Sequence, residues 1–493
     1  MAFCSFPDVF SWIENLPPIP QWKKGILNSM KLCPSCNSSQ PSLNLSIKNL
    51  DKNSFSLSIY ADYNIPLFLW TSKKLVLKST SNKLLDNETT STLLKNFIED
   101  VLKYSPINKF SLKLPRIYSE NNLKDIFNFS FLSLTFIVCI FEAPRDLRAS
   151  CVNTLKDQLA CSKSREVAKY FMRLLGSNVE EEWVRSINLG ITNWISEIRD
   201  ENVGFEMPSP LFTYSISTFG LWKVQLYSPV IAMDIEKSSG SSDDRLMFSL
   251  NFHQLEGVIQ LNHKVKVEEK WIEVMVNTDN IRCDVHKLLS DTLMKQRGAG
   301  TSEKHFPSRI AIQITPTQQT NVISISVSKS SENPSTEIGA EKGVGASFEA
   351  PKAIGLNFSA AETTTISLRP WKFEQSVYGN SANLNWFLHD SVNGREVFSS
   401  KPSKCSLLHP KAWFKNRYSN AHRVFTRKGG VIFAGDEYGD VVNWKVDRDS
   451  IGKSMEWEIK GWIWLTYWPN KLLTFYTETR RLEFKENVYL TLI

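Results

Sequence analysis

The chain has few of the features that mark metalloproteins, secreted disulfide scaffolds or enzymes. Its eight cysteines in 493 residues lie far below the density of a disulfide-stabilised scaffold. Cys33 and Cys36 have the spacing of half a zinc site, but no second such pair follows. The seven histidines are dispersed, and no Gly-x-Ser-x-Gly elbow accompanies them. We therefore predict reduced thiols, no metal, no cofactor and no enzymatic activity.

Long apolar runs and targeting signals are also scarce. The longest apolar run, residues 126–141, is shorter than the roughly 20 residues that a membrane-spanning helix needs. Asp8 and Glu14 interrupt the N-terminal sequence, which lacks the regions of a secretory signal. We expect a cytoplasmic location and a buried core segment at 126–141. The alternatives are a membrane segment at 126–141 and a nuclear or membrane-associated location.

Composition and charge are those of an ordinary globular protein. Hydrophobic residues make up 42% of the chain and charged residues 22%, which is enough to build a sizeable core. A net charge of +7 arises from 58 basic and 51 acidic residues that are scattered along the chain. A dispersed charge of this size is weak support for a nucleic-acid partner. The length predicts about two to four domains, because single cores stop growing at roughly 250 to 300 residues.

Residues 1–206 are predicted to form a mixed module of β-hairpins and helices. Apolar side chains alternate at 43–47 and at 55–59, which predicts a hairpin. The period then becomes helical, at 94–102, 167–175 and 178–198. Glu180, Glu181 and Glu182 fall in the first turn of the last helix, where we expect them to be solvated and favoured by the helix dipole.

Residues 207–493 are predicted to form a larger antiparallel, sandwich-like β module, so the fold class is α+β. Alternation at 246–252, 259–267 and 272–276 predicts strands, and 310–314 is expected to pair with 323–327 as a hairpin. A short helix is predicted near 286–296. The polar, glycine-bearing loop 296–304 is a candidate for a further boundary.

The last part of the chain contains two strongly patterned strands. Met455, Trp457 and Ile459 face one way, while Trp462, Trp464 and Trp468 place apolar rings on the other face. This pattern predicts a central strand that is covered on both sides. A final strand follows at 482–492.

Basic and aromatic side chains alternate in one passage, residues 411–428. Interleaved cations and rings are typical of surfaces that stack bases and pair with phosphates, and the alternative is a surface loop whose rings pack inward. The candidate binding residues of this passage are Trp413, Lys415, Arg417, Tyr418, Arg423 and Arg427.

Four passages, spread over most of the chain, carry a resemblance to a known family. They are LWKVQLYSPVIAMDIEKSS at 221–239, RGAGTSEKHFPSRI at 297–310, the passage at 370–404 that begins PWKFEQSVYGN, and EWEIKGWIWLTYWPNK at 456–471. These passages resemble a plant-specific protein family that has no assigned biochemical activity. The resemblance implies a plant, intracellular origin, and it transfers no functional residue.

A second likeness is one of pattern. Residues 339–368, GAEKGVGASFEAPKAIGLNFSAAETTTISL, are rich in small residues with apolar residues at alternate positions. The segment looks like the insertion hairpins of β-barrel pore-forming proteins of the leukocidin and aerolysin type. An exposed antiparallel edge has the same alternation, and that interpretation stays open.

These observations favour a non-catalytic interaction or scaffold protein that binds a protein partner through aromatic β surfaces. A membrane-active β protein with a pore-former-like hairpin at 339–368 is one alternative. A nucleic-acid binder acting through 411–428 is the other.

Overall fold

A computed structural model of the chain describes most of its residues. The described ranges are 6–22, 28–33, 41–51, 53–77, 84–106, 122–199, 212–240, 243–298, 305–328, 336–340, 364–368, 371–388, 431–434, 441–467 and 476–493. The predicted binding passage 411–428 lies outside them, as do 341–363 of the predicted insertion hairpin and 299–304 of the predicted boundary loop.

The described residues form helices and strands with the following bounds. The helices are α1 (Val9–Glu14), α2 (Asn87–Leu102), α3 (Leu123–Glu142), α4 (Arg145–Ala160), α5 (Ser162–Leu175), α6 (Ser177–Arg199), α7 (Asp244–Asn251) and α8 (Asp291–Arg297). The strands are β1 (Asn28–Cys33), β2 (Leu43–Asp51), β3 (Ser54–Ala61), β4 (Leu67–Thr71), β5 (Leu75–Val76), β6 (Phe212–Thr218), β7 (Leu221–Pro229), β8 (Asp234–Ser239), β9 (His253–Val267), β10 (Trp271–Lys287), β11 (Phe306–Pro316), β12 (Val322–Val327), β13 (Thr336–Ala340), β14 (Thr364–Leu368), β15 (Trp371–Tyr378), β16 (Ser381–Leu388), β17 (Val431–Ala434), β18 (Val442–Asp447), β19 (Ser454–Tyr467) and β20 (Thr477–Thr491).

The N-terminal part packs a β sheet against helices. Strands β1 to β4 form a sheet in chain order, β5 pairs with β3, and the predicted hairpin is confirmed as β2 and β3. Helix α3 lies at the centre of the helices, where α2, α4, α5 and α6 contact it. An apolar surface on all sides suits such a position. The hydroxyls of Ser133 and Thr135 donate to the carbonyls of Phe129 and Phe131, each at 2.8 Å, so no polar group of these side chains is left unpaired.

Helix α3 is also the predicted core segment 126–141. Among the described residues it is the one helix whose length and composition would allow it to cross a membrane. In the structure, 78% of its most apolar window is buried inside the protein. The helix therefore serves as the core of the N-terminal part, as the polar residues within it predicted.

The C-terminal part is a sandwich of two antiparallel sheets, which confirms the α+β prediction. The seven-stranded sheet has the order β12-β18-β10-β9-β7-β6, with β17 paired to β10. The six-stranded sheet has the order β15-β16-β11-β19-β20-β8. Trp222, Trp444 and Trp457 are fully buried between them, and the Trp457 ring centroid lies 5.6 Å from that of Trp222 and 4.8 Å from that of Trp444.

Helix α6 connects the two parts through buried polar contacts. The Glu180 carboxylate accepts hydrogen bonds from the Tyr214 hydroxyl at 2.9 Å and the Tyr227 hydroxyl at 2.8 Å. The guanidinium of Arg185 donates two hydrogen bonds to the carboxylate of Glu256 on β9, from Nε to Oε1 at 2.7 Å and from Nη2 to Oε2 at 3.0 Å. The expectation that Glu180 is solvated is therefore wrong, because the sheet covers the first turn of the helix. The predicted division at 206/207 stays a prediction.

Two predicted elements of the β region are corrected. Residues 246–252 do not form a strand: 246–251 belong to α7 and Phe252 caps its end, because the Asp243 side chain starts the helix by accepting from the Arg245 amide at 2.8 Å. Leu246 and Leu250 then lie one turn apart and are both buried. The helix predicted near 286–296 begins later, at Asp291, because residues 286 and 287 extend β10.

The predicted hairpin of 310–314 with 323–327 does not form. Strand β11 pairs with β16 and β19 in the six-stranded sheet, whereas β12 pairs with β18 in the seven-stranded sheet. The chain between them crosses from one sheet to the other. Strand β11 buries an apolar face in the same core against which Val322, Ile325 and Val327 of β12 pack partly buried, so the alternation alone could not assign the two strands to a sheet.

Candidate binding surface on the outer face of the six-stranded sheet

The predicted hairpin at 339–368 is described only at its ends. Strands β13 and β14 pair antiparallel, with Ile338 opposite Ile366 and Ala340 opposite Thr364. These two strands form a sheet of their own. Residues 341–363 and 411–428 lie outside the described residues. The candidate binding surface among the described residues is on the six-stranded sheet.

A row of aromatic and charged residues crosses the outer face of the six-stranded sheet. Successive strand partners in register are Phe387 of β16, Arg309 of β11, Trp464 of β19, Arg481 of β20 and Asp234 of β8. Residues opposite one another on one face of a sheet lie within side-chain contact. The antiparallel register therefore gathers residues that are up to 247 positions apart in the sequence, from Asp234 to Arg481.

The adjacent row contains a small residue that leaves a depression. Ala311 lies between Asn385 on β16 and Trp462 on β19, two residues along the strands from the first row. Because larger side chains surround the alanine methyl group, an open depression of about 390 Å³ forms above it. The depression is lined by Arg309, Ala311, Ile312, Ser376, Asn383, Asn385, Trp462, Trp464 and Arg481.

Arg309 is held in place by rings on both sides. Its guanidinium carbon lies 4.3 Å from the ring centroid of Trp464 and 4.8 Å from that of Phe387. Such cation–π contacts are worth about 0.5–2 kcal/mol each. Burial lowers the pKa of this guanidinium, although the charges of Glu236 and Glu374 act in the opposite direction. The guanidinium is thus fixed in orientation, and nearby carboxylates balance its positive charge only in part.

Both arginines of the row have an unused hydrogen-bond donor. Within the part of the chain that the structure describes, Nε of Arg309 and Nε of Arg481 are buried from water and have no acceptor. The Nη2 atom of Arg481 lies 3.8 Å from Oδ2 of Asp234, a side chain that is 70% exposed. An unpaired buried donor is unfavourable by about 1–3 kcal/mol.

The sequence pattern placed the two outer tryptophans wrongly. The central position of β19 is confirmed, but Trp462 and Trp464 face outward and are only half-buried. The signal that could have found them is the polar character of the same face, since Glu458 and Lys460 precede them at alternate positions. A covered face would not carry these charges.

One titratable cluster of the described residues lies inside the protein and is not accessible. His305 Nε2 lies 3.2 Å from Oε1 of Glu478, and both side chains are fully buried beside Arg480. Burial acts to raise the pKa of Glu478, but the hydrogen bond from His305 and the charge of Arg480 lower it overall. Across the described ranges, no group of three or more His, Cys, Asp or Glu residues has the arrangement of a metal site.

Comparison with known proteins gives distant structural likenesses. No family model matches the chain, and no curated protein matches it either. Among solved structures it is similar to Clostridium perfringens delta-toxin, with 8% identity and a TM-score of 0.20, over 56% of this chain and 94% of that one.

Two further solved structures give similar alignments. A structure described as a pore forming protein aligns over 57% of this chain and all of its own, with 12% identity and a TM-score of 0.20. The Clostridium perfringens NetB toxin in its membrane-inserted form aligns over 56% of this chain and 93% of its own, with 10% identity and a TM-score of 0.16. These likenesses concern the same class as the pattern at 339–368. At such TM-scores they support no conclusion about function.

Proposed function

We propose that this protein is a non-catalytic binding protein whose outer sheet face binds a protein partner. The observation that carries the proposal is the row of Phe387, Arg309, Trp464 and Arg481 beside an open depression. Tryptophan and arginine are enriched at the energetic centres of protein interfaces, and charged lysine and glutamate are depleted there.

The surface has the physical properties of an interface centre. The aromatic rings of Trp462 and Trp464 are half-buried, so a partner would remove their remaining apolar area from water, at roughly 25 cal/mol per Å². Arg309 is already ordered between two rings, so its side chain loses little conformational entropy on binding. Rigid aromatic and guanidinium groups of this kind give affinity without the cost of ordering a loop.

A capture experiment with a matched control tests the proposal. The whole protein, its Trp464→Ser variant and its Trp271→Ser variant are immobilised, and the proteins retained from a native extract are quantified by mass spectrometry. Trp271 lies on the other sheet and also stacks with a cation, since Lys445 Nζ is 4.1 Å from its ring centroid. We expect one partner to be retained by the wild type and by Trp271→Ser, and to fall about tenfold or more with Trp464→Ser. Equal retention by all three proteins would refute the proposal.

A second candidate function, association with a membrane surface, is favoured by exposed apolar residues at one end of the sandwich. The strand registers bring the β6–β7 turn, the β15–β16 turn, the start of β12 and the segment between β18 and β19 to the same end. Phe219 is fully exposed there, and Tyr378 (79%), Ile323 (58%) and Ile451 (44%) are exposed as well. These residues lie on separate strands and turns of that end, from β12 at one edge of the seven-stranded sheet to β6 at the other, and a flat membrane surface would contact them together.

Liposome sedimentation tests this second candidate. If the apolar end enters a membrane surface, the whole protein should sediment with phosphatidylcholine vesicles, and Phe219→Ser with Tyr378→Ser should release it. Protein that stays in the supernatant at high lipid concentration would rule this function out. Leakage of a trapped dye in the same assay would report the pore-former-like activity predicted for 339–368.

Four further sequence predictions accompany this proposal, and the last of them is an alternative to it. The plant family resemblance, the cytoplasmic location and the lack of enzymatic activity stay predictions, as does nucleic-acid binding through 411–428. For the last, neutralising Lys415, Arg417, Arg423 and Arg427 together should reduce the salt dependence of RNA or DNA binding. An unchanged salt dependence would exclude that passage as the contact.

A further inference from the structure

The outer-face depression also indicates what kind of partner segment it takes. Resting on the proposed function, we infer that an acidic segment of the partner lies across the row, with carboxylates bonded to Arg309 and Arg481 on the two sides of Trp464. Trp464 occupies the position between the two arginines in the strand register. The segment would run across the strands, over the depression above Ala311.

The first argument is the state of the two guanidinium groups. Each has a buried Nε donor with no acceptor among the described residues. Because these Nε atoms are buried from water, an incoming carboxylate would bond the Nη atoms instead, and the Arg481 side chain is 37% exposed. Charge-assisted pairs are about twice as strong as neutral hydrogen bonds, so a carboxylate would bind each arginine better than a hydroxyl or an amide would.

The second argument is charge complementarity. Of the nine residues that line the depression, two are arginines and none is acidic. Glu483, at the end of the adjacent row, is already paired with Lys460, whose Nζ lies 2.8 Å from its Oε1. Asp234 contacts Arg481 only at 3.8 Å and is mostly exposed, so an incoming carboxylate can replace or join it. The charges of Glu236 and Glu374 act on Arg309 from outside the lining, so the attraction of the depression for anions comes from its two arginines.

The third argument is size and the remaining chemistry. A depression of about 390 Å³ is at the small end of binding pockets, which matches one or two side chains of an extended segment. The amides of Asn383 and Asn385 and the Ser376 hydroxyl line the same space and can bond the segment's backbone. The half-exposed Trp462 offers a flat apolar contact for a neighbouring side chain.

Selection from a random peptide library tests the inference on the whole protein. A phage-displayed library of dodecapeptides is panned on the wild type and counter-selected on Ala311→Phe, whose ring fills the depression. We expect the selected peptides to be enriched in Asp and Glu. Synthetic copies should lose about tenfold or more in affinity when their acidic residues become Asn or Gln, a change that leaves the protein untouched.

Protein variants complete the test. Arg309→Gln and Arg481→Gln should each weaken binding of the same peptides about tenfold, whereas Lys445→Gln on the other sheet should leave it unchanged. Thermal unfolding of each variant confirms that it is folded. If an arginine variant does not fold, the acidic-to-amide substitutions in the peptide give the same answer.

The outcomes separate the inference from the proposed function. Peptides that bind the wild type but not Ala311→Phe, and that contain no required carboxylate, would overturn the inference and leave the proposed function standing. The absence of any peptide dependent on Ala311 or Trp464 would overturn both. If a glycan or single-stranded RNA, and no peptide, bound to the same face, the inference of an acidic partner segment would also be overturned.

Discussion

At the scale of single residues, the carboxyl group of Glu180, between α6 and the β sheet, shows how burial changes the pKa of a side chain. Burial raises its pKa to about 7, although hydrogen bonds from Tyr227 and Tyr214 act in the opposite direction. In the unfolded chain the same carboxyl titrates near 4.5. The folded protein therefore binds a proton in the pH range between about 4.5 and 7 that the unfolded chain has lost.

This difference predicts a specific pH dependence of stability. The contribution of Glu180 is fully present below about pH 4.5 and is lost as the pH rises to about 7, a change of about 3 kcal/mol. Glu180→Gln stays neutral and lacks this loss. We expect the variant's free energy of unfolding, relative to the wild type, to rise by about 3 kcal/mol between pH 4.5 and pH 8 in urea denaturation. Parallel pH profiles of the two proteins would contradict this assignment.

At the scale of elements, helix α6 depends on a buried ion pair to hold its place on the β sheet. Arg185 bonds Glu256 on β9 and Glu182 one turn earlier on its own helix, the latter from Nη1 to Oε1 at 2.6 Å. These side chains are at most 12% exposed. Removing one member of such a group leaves a buried charge without its partner.

We therefore expect Arg185→Ala to reduce the free energy of unfolding by about 3–5 kcal/mol. The matched control is Arg145→Ala, because Arg145 is 66% exposed and its Nε lies 3.9 Å from Glu197. That surface pair should change the free energy by about 0–1 kcal/mol. Chemical denaturation of both variants measures the difference, and equal effects would mean that the buried pair does not hold the helix.

The elements also show which parts of the fold the sequence determines locally. The hairpin of β2 and β3 and the central strand β19 follow from the alternation of apolar residues in the sequence. The burial of the core helix α3 follows from its length and from the polar residues within it. Helix α7 was missed because Leu246, Phe248 and Leu250 fit a strand as well as a helix, and the Asp243 cap decided between them. The sheet to which β12 belongs depends on distant β18, which no local pattern encodes.

At the scale of the whole molecule, the candidate site exists only because distant strands come together. Arg309, Trp464 and Arg481 lie on three strands, and the strand order β16-β11-β19-β20 makes them neighbours. The sequence indicated aromatic β surfaces as the binding feature, but it could not name these residues. Trp464 looked like a core residue because its face of the sheet cannot be inferred without the partner strands.

Hydroxyl-radical footprinting of the whole protein tests the central claim, that the outer sheet face binds a partner. The protein is oxidised alone and together with the partner fraction retained from a native extract, and the oxidation rate of each tryptophan is measured by mass spectrometry. We expect Trp462 and Trp464 to be protected several-fold by the partner fraction, while Trp271 on the other sheet is oxidised at the same rate in both samples. Unchanged oxidation of Trp462 and Trp464 in the presence of the bound partner would contradict the account.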